Sequence, residues 1–388
     1  MPVATETWNL SSATLSLADG TSVNTTGEVL VEPTGKVELR VQLHGVVRLE
    51  DFAEGQNITG QTVDGLSLVA QGAFASQANF ESSTGASSVI FTPLECLLTR
   101  SGRTTWTRRE VYLKSLQVLG RCRFQHNGTD FQLEALDNQN DHRPGLVRAL
   151  LTLAPSANAD HTDVLLLLSL AQRCLIQSPL QKDFDGDDLV RARLVPNELP
   201  YTAGNPLVPR SPRELASFIT QVSPHFAAKS SSYELSRLIQ YYCLSVSEPY
   251  GEIKFLLASV FMEALKFYWA LNVGKETPVL KASGLIRGFQ KATNAKGKPV
   301  LFEFEELLQK ACSDIGYTTT FTFIEDRNAM FHSGAPGAYQ AGASSTWSTI
   351  KPELIQLYRQ IDDILLTILG YRGPIHRWDA PDIEVQFP

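Results

Sequence analysis

One change of hydrophobic period divides this chain. Through about residue 135, apolar and polar residues alternate in short runs between glycine turns; beyond Pro212, apolar residues recur at helical spacing. Val37, Leu39, Val41 and Leu43 alternate with Glu38, Arg40 and Gln42, the pattern of a strand with one buried face. Turn signals recur at Asp19-Gly20, Thr34-Gly35, Asp64-Gly65 and Asn127-Gly128. Between them lie strand-like runs at Leu66 to Ala70, Ser88 to Thr92, Leu113 to Phe124 and Phe131 to Leu136. Asn127-Gly128 predicts a type I′ hairpin. Many short strands with glycine turns predict a sandwich or an open, barrel-like sheet.

From Pro144 to Val195 the pattern is mixed, and Val164 to Leu170 fits either a buried helix or a strand. Pro196 to Pro212 is proline-rich and weakly periodic, as a linker would be. Ser211-Pro212-Arg213-Glu214 then forms a capping box with proline at the first helical position. Further helices are predicted over Tyr233 to Ser247, Tyr250 to Asn272, Phe302 to Ser313, Thr322 to His332 and Lys351 to Leu369. The last carries Leu354, Leu357, Ile361, Ile364, Leu365 and Ile368 on one face. The expected architecture is α+β: a β-rich domain over residues 1–195 (mixed in 144–195), a linker over 196–212, and an all-α bundle over 213–388.

At 388 residues, two or three domains are expected. Hydrophobic residues at 43% and charged residues at 19% describe a folded chain, not a disordered one. The net charge of −7 excludes a generally basic nucleic-acid coat protein, but not a local basic groove. Through Arg210 the chain holds 17 Lys plus Arg against 23 Asp plus Glu, and the remainder holds 17 against 18. The acidity therefore sits in the β-rich part. The N-terminus MPVATETWNL lacks the basic and apolar regions of a secretory signal, and no apolar run such as Val164 to Ala171 reaches the ~18–20 residues of a membrane span. Five scattered cysteines without a C-x-x-C fit reduced, buried thiols. A cytoplasmic location without membrane association is expected.

Familiar catalytic signatures are missing: there is no Walker A loop, no G-x-G-x-x-G, no G-x-S-x-G and no H-E-x-x-H. Asp183-Phe184-Asp185-Gly186-Asp187-Asp188 approximates a calcium loop, but its glycine comes too early and the closing glutamate is absent. It reads as a solvated acidic turn, and no metal ligand set is assigned.

The informative stretch is Glu325-Asp326-Arg327-Asn328-Ala329-Met330-Phe331-His332-Ser333-Gly334. Thr322-x-x-Glu325 caps a short helix, and on it Asn328 and His332, four apart, share a face. Arg327 stands roughly 140° away, but its long side chain can bend to the same rim. An imidazole with an ordinary pKa near 6.5 can take or give a proton, and a guanidinium can hold a phosphate bidentately. Asn328 can orient His332 or donate to phosphate. This set suits RNA cleavage without a cofactor. The alternative is a helix C-terminal His332 complementing the helix dipole, with Arg327 on a solvated face. A similar Arg-to-His spacing, Arg121 to His126, lies in an alternating strand and is set aside.

R-N-x-x-x-H within a six-helix domain resembles the HEPN (higher eukaryotes and prokaryotes nucleotide-binding) superfamily, whose active members carry an R-x(4–6)-H signature. Arg327, Asn328 and His332 match it. Glu263, in Phe261-Met262-Glu263-Ala264-Leu265, is similar in place to an acidic residue that family helices often carry; a core carboxylate paired with Lys266 is the other possibility. Gly27-Glu28-Val29-Leu30, Lys36-Val37-Glu38-Leu39, Ile58-Thr59-Gly60, Asp64-Gly65-Leu66-Ser67-Leu68 and Leu168-Ser169-Leu170-Ala171 resemble parts of ApeA-type abortive-infection proteins. The resemblance implies a metal-independent endoribonuclease that leaves 2′,3′-cyclic phosphate and 5′-hydroxyl ends in anti-phage defence. It also implies a homodimer with a composite site, supported by Glu325 and Asp326 and triggered by a phage protein or nucleic acid. A non-catalytic adaptor is the competing class.

Residues 275–298 hold Lys275, Lys281, Arg287, Lys291, Lys296 and Lys298 against Glu276 alone. Read as a loop between two helices, the segment either lines an RNA groove or is a solvated connector. His376-Arg377-Trp378 invites the same two readings.

Overall fold

The first unit is a sheet in which every neighbouring pair is antiparallel. In the computed structural model it comprises residues 1–159 and 176–201, and the second unit comprises 160–175 and 202–388. The structure describes residues 5–136, 146–155, 160–196, 205–333 and 347–388, and for 330–333 and 347–350 the backbone alone.

The sheet's strands are β1 (Glu6–Ser16), β2 (Ser22–Val31), β3 (Val37–His44), β4 (Gln56–Thr62), β5 (Leu66–Glu81), β6 (Ala86–Thr92) and β7 (Glu95–Arg100). They continue with β8 (Arg108–Lys114), β9 (Arg121–His126), β10 (Thr129–Ala135), β11 (Val147–Leu153), β12 (Gln177–Asp185) and β13 (Asp188–Leu194). Because β4 pairs with both β1 and β5, the ring β5-β4-β1-β2-β3-β6 closes into a six-stranded barrel. From β5 an open extension runs β7-β13-β12-β8-β11-β10-β9.

The alternation expected in β3 puts Val37, Leu39 and Val41 in the core beside Leu10, Val29, Ile58, Leu68 and Phe91. Each such side chain, fully buried, contributes about 1.5–3 kcal/mol. The polar side departs from expectation at Glu38, which is buried beneath Lys36 and Arg40. Asn127 and Gly128 both have positive φ and join β9 to β10, as a type I′ turn requires. The acidic segment at 183–188 is the β12–β13 hairpin, and it is not wholly solvated. Asp183 is 1% exposed, with Arg109 Nε at 2.7 Å and Arg191 Nη2 at 2.6 Å.

The second unit holds α1 (Thr162–Gln172), α2 (Pro212–Tyr233), α3 (Leu235–Ser247), α4 (Gly251–Tyr268), α5 (Phe304–Asp314), α6 (Ile324–Ser333) and α7 (Trp347–Ile368). Ser211 caps α2, its hydroxyl accepting from the Glu214 N–H at 3.1 Å. The ambiguous run at 164–170 is helical. With Val164 and Leu166 to Gln172 buried, α1 is apolar all round and packs on α2 and α3. It therefore belongs with the helices and not with the domain of residues 1–195.

Nor is the second unit wholly α. The basic segment read as a loop forms a sheet of β14 (Pro278–Leu280), β15 (Ile286–Thr293) and β16 (Pro299–Leu301), and β17 (Pro374–His376) pairs with β18 (Glu384–Gln386). With a one-turn π extension, α4 reaches Val273 and is long and apolar enough to cross a membrane, with mean hydropathy 1.3. It packs against α3, α5, α6 and α7. The apolar face of α7 lies inside the same unit, with Leu354, Leu357, Ile361, Ile364, Leu365 and Ile368 buried.

Candidate functional site

Helix α6 runs from Ile324 to Ser333, beginning two residues after the predicted start at Thr322 and ending one residue after His332. Phe323, just before it, is buried against Phe304 of α5 and Phe321, which fixes where the helix starts. Arg327 donates its backbone N–H to the Phe323 carbonyl at 2.9 Å, so it lies in the first turn.

From there the Arg327 side chain reaches Glu263 of α4 and forms an ion pair through Nη2 and Oε1. The other Glu263 oxygen meets Lys266 Nζ at 2.8 Å, one helical turn on. Both cations also lie against Phe304, with Arg327 Cζ at 4.4 Å and Lys266 Nζ at 4.8 Å from the ring centroid. Glu263 therefore has both partners, and Arg327 is not on a solvated face: it and Lys266 are each 17% exposed. Arg327 Nη1 donates to Asn328 Oδ1 at 2.6 Å, while the residue Asn328 is exposed.

The electrostatics follow from that packing. Burial pushes the Lys266 ammonium down to about 8. It also lowers Arg327, which nonetheless stays protonated as guanidinium. Arg327 and Lys266 thus share one carboxylate beside the exposed Asn328.

His332 is in the backbone of α6, but its side chain lies outside the described residues. Glu325 is exposed and Asp326 half-buried, and neither is part of the Glu263 cluster. Lys266 is named from sequence as a partner of Glu263, and that pair is present. Phe304 carries no sequence signal and is missed. Among the described residues, no group of three His, Cys, Asp or Glu side chains could share a metal ion.

The second candidate patch is ordered differently from expectation. Lys275, Lys281, Arg287, Lys291, Lys296 and Lys298 are exposed, but they border a sheet whose Phe289 is buried and packs on Phe267 of α4. His376-Arg377-Trp378 is not an open basic patch. Arg377 pairs with Asp363, and Trp378 stacks on Tyr358 at 4.7 Å.

No family model, curated protein or solved structure matches this chain.

Proposed function

We propose that the chain is a HEPN-type, metal-independent endoribonuclease acting in prokaryotic anti-phage defence. The observation that carries the reading is the anchoring of the Arg of R-N-x-x-x-H: Arg327 is tied to Glu263 and to Asn328, so its guanidinium is held in one place. In this reaction His332 takes the proton from a ribose 2′-hydroxyl. The 2′-oxygen attacks the adjacent phosphorus, and the bond to the 5′-oxygen breaks. The products are a 2′,3′-cyclic phosphate and a 5′-hydroxyl, and the proton reaches the leaving oxygen from a second imidazole. A homodimer supplies that second His332 across a two-fold axis. Arg327 stabilises the charge on the phosphate, and Asn328 orients it. The β-rich unit receives the trigger, a phage protein or nucleic acid, in the cytoplasm.

A second reading, a non-catalytic HEPN adaptor, is favoured by the same ion pair, because Glu263 already compensates Arg327. Incubating purified wild type, His332→Ala and Arg327→Ala with RNA and mapping the ends separates the two. The ribonuclease reading expects cyclic-phosphate ends from wild type alone. Equal cutting by His332→Ala would overturn it.

A further inference from the structure

We infer that the β14–β16 sheet is a platform for the phosphate backbone of single-stranded RNA. The inference rests on the ribonuclease reading for the identity of the strand, and it adds where that strand is held. Three observations carry it.

The first is uncompensated charge. Glu276, the one acid of residues 275–298, is turned to Lys310 of α5, and Lys291 is neutralised by Glu306 of the same helix. Lys275, Lys281, Arg287, Lys296 and Lys298 are exposed and, among the described residues, make no ion pair. Arg287 in β15, Lys281, Lys296 and Lys298 in the two turns, and Lys275 just ahead of β14 form a local positive field in a chain of net charge −7.

The second is rigidity. Phe289 is 4% exposed against α4, and its carbonyl accepts from the Phe302 N–H at 3.0 Å. Asn294 Oδ1 accepts from the N–H groups of both Lys296 and Lys298, at 2.9 and 3.0 Å, and so shapes the turn that bears them. These cations stand on a built frame, and not on a loose connector.

The third is spread. Lys281 lies in the β14–β15 turn and Arg287 at the start of β15, and Lys296 and Lys298 lie in the turn beyond its end. The eight residues of β15 span about 25 Å. Charge at both ends of such a length fits a polyanion laid along the sheet. A membrane surface would need an apolar tip; Leu280 and Leu285 are exposed at one turn only, and the other offers just Ala295.

The test uses the full chain and a fluorescent 20-nucleotide 2′-O-methyl oligouridylate, which has no free 2′-hydroxyl and cannot be cut. Binding is read by anisotropy across a salt series. For single strands the log–log salt slope is about −0.7 per phosphate contact, so Lys281→Gln/Arg287→Gln/Lys296→Gln/Lys298→Gln should flatten it by about 2–3 and weaken binding at least tenfold. Lys291→Gln/Glu306→Gln, which removes a compensated pair from the same sheet, should leave the slope unchanged. An unchanged slope in the four-site variant, with an unchanged melting temperature, overturns the inference. So does binding of phosphatidylserine vesicles without binding of the oligonucleotide. Because the probe resists cleavage, a wild type that binds it but cuts no RNA even in extract of phage-infected cells refutes the ribonuclease reading and leaves the platform standing.

Discussion

Arg327 of α6 and Glu263 of α4 are far apart in sequence and joined in a direct ion pair, and the free oxygen of Glu263 is held by Lys266. One carboxylate therefore sets the position of the arginine in R-N-x-x-x-H. Glu263→Gln would remove the carboxylate charge that both half-buried cations share. The expected cost is about 1–3 kcal/mol in urea unfolding, typical of breaking a buried charge-assisted contact. Under the proposed ribonuclease reading, RNA cleavage should fall by tenfold or more, with Glu263→Asp recovering part of both losses. If Glu263→Gln is as stable as wild type, the pair does not hold the site.

Lys266 gives this cluster a pH dependence of defined sign. Its folded pKa is about 8 against an ordinary value of 10.5, lowered by burial. Between those values the unfolded chain binds the extra proton, so stability rises with pH from about 8 to about 10 and is reduced below 8. Lys266→Met should lack that rise. Urea midpoints of both proteins at pH 7.5, 9 and 10 measure it, and parallel curves would refute the assignment.

How much of this was legible in the sequence depends on the length and regularity of each element. The helices after Pro212 were readable because Leu215, Phe218 and Ile219, or Leu354 through Ile368, repeat over several turns. Helix α1 was not, since a segment buried on all sides has no period to read. The β14–β16 sheet escaped because two of its strands are three residues long and β15 carries bulges that break alternation. Arg327 and Asn328 were found from local spacing. Phe304, which both cations touch, belongs to the site only through tertiary packing.

Gly27 marks a close approach inside the barrel. A Cβ there would stand 2.1 Å from the Arg40 carbonyl oxygen across the β2–β3 pair. That atom is backbone and cannot swing aside, so Gly27→Ala must part the strands. A loss of about 2–3 kcal/mol is expected, comparable to overpacking a core. Gly20→Ala is the comparison for its open surroundings, since nothing lies within 4 Å of its Cβ position, and its cost comes only from a positive φ. Thermal melts that rank Gly20→Ala as the more damaging would contradict this.

All five cysteines are buried and unbridged. Burial pushes Cys122 to about 11 and Cys96, Cys174 and Cys312 to about 12, so thiolate is scarce at neutral pH. The native protein should react with a thiol reagent such as DTNB only as fast as it opens, and release five equivalents promptly in denaturant. A fast native equivalent at pH 7 would show an accessible thiol.

Arg173 and Asp362 are both fully buried and paired, and the polar atoms around them are shared closely. The Tyr242 hydroxyl donates to the second Asp362 oxygen and accepts from Trp378 Nε1 at 3.2 Å. Arg173 also donates to the His376 carbonyl at 2.8 Å and lies 4.4 Å from the Trp378 ring centroid. Arg173 follows α1, so a fragment that begins at residue 202 would lack it and leave Asp362 buried without a counter-ion. Arg173→Met should cost about 3–5 kcal/mol for the same reason, because the stranded charge and not the lost attraction dominates. Arg173→Met/Asp362→Asn removes that charge and should recover much of the loss, while Asp362→Asn alone strands the guanidinium. Chemical denaturation of the three variants closes the cycle. Equal stability of Arg173→Met and the double variant would contradict this, because proton uptake by Asp362 at neutral pH would itself cost stability that the asparagine does not pay.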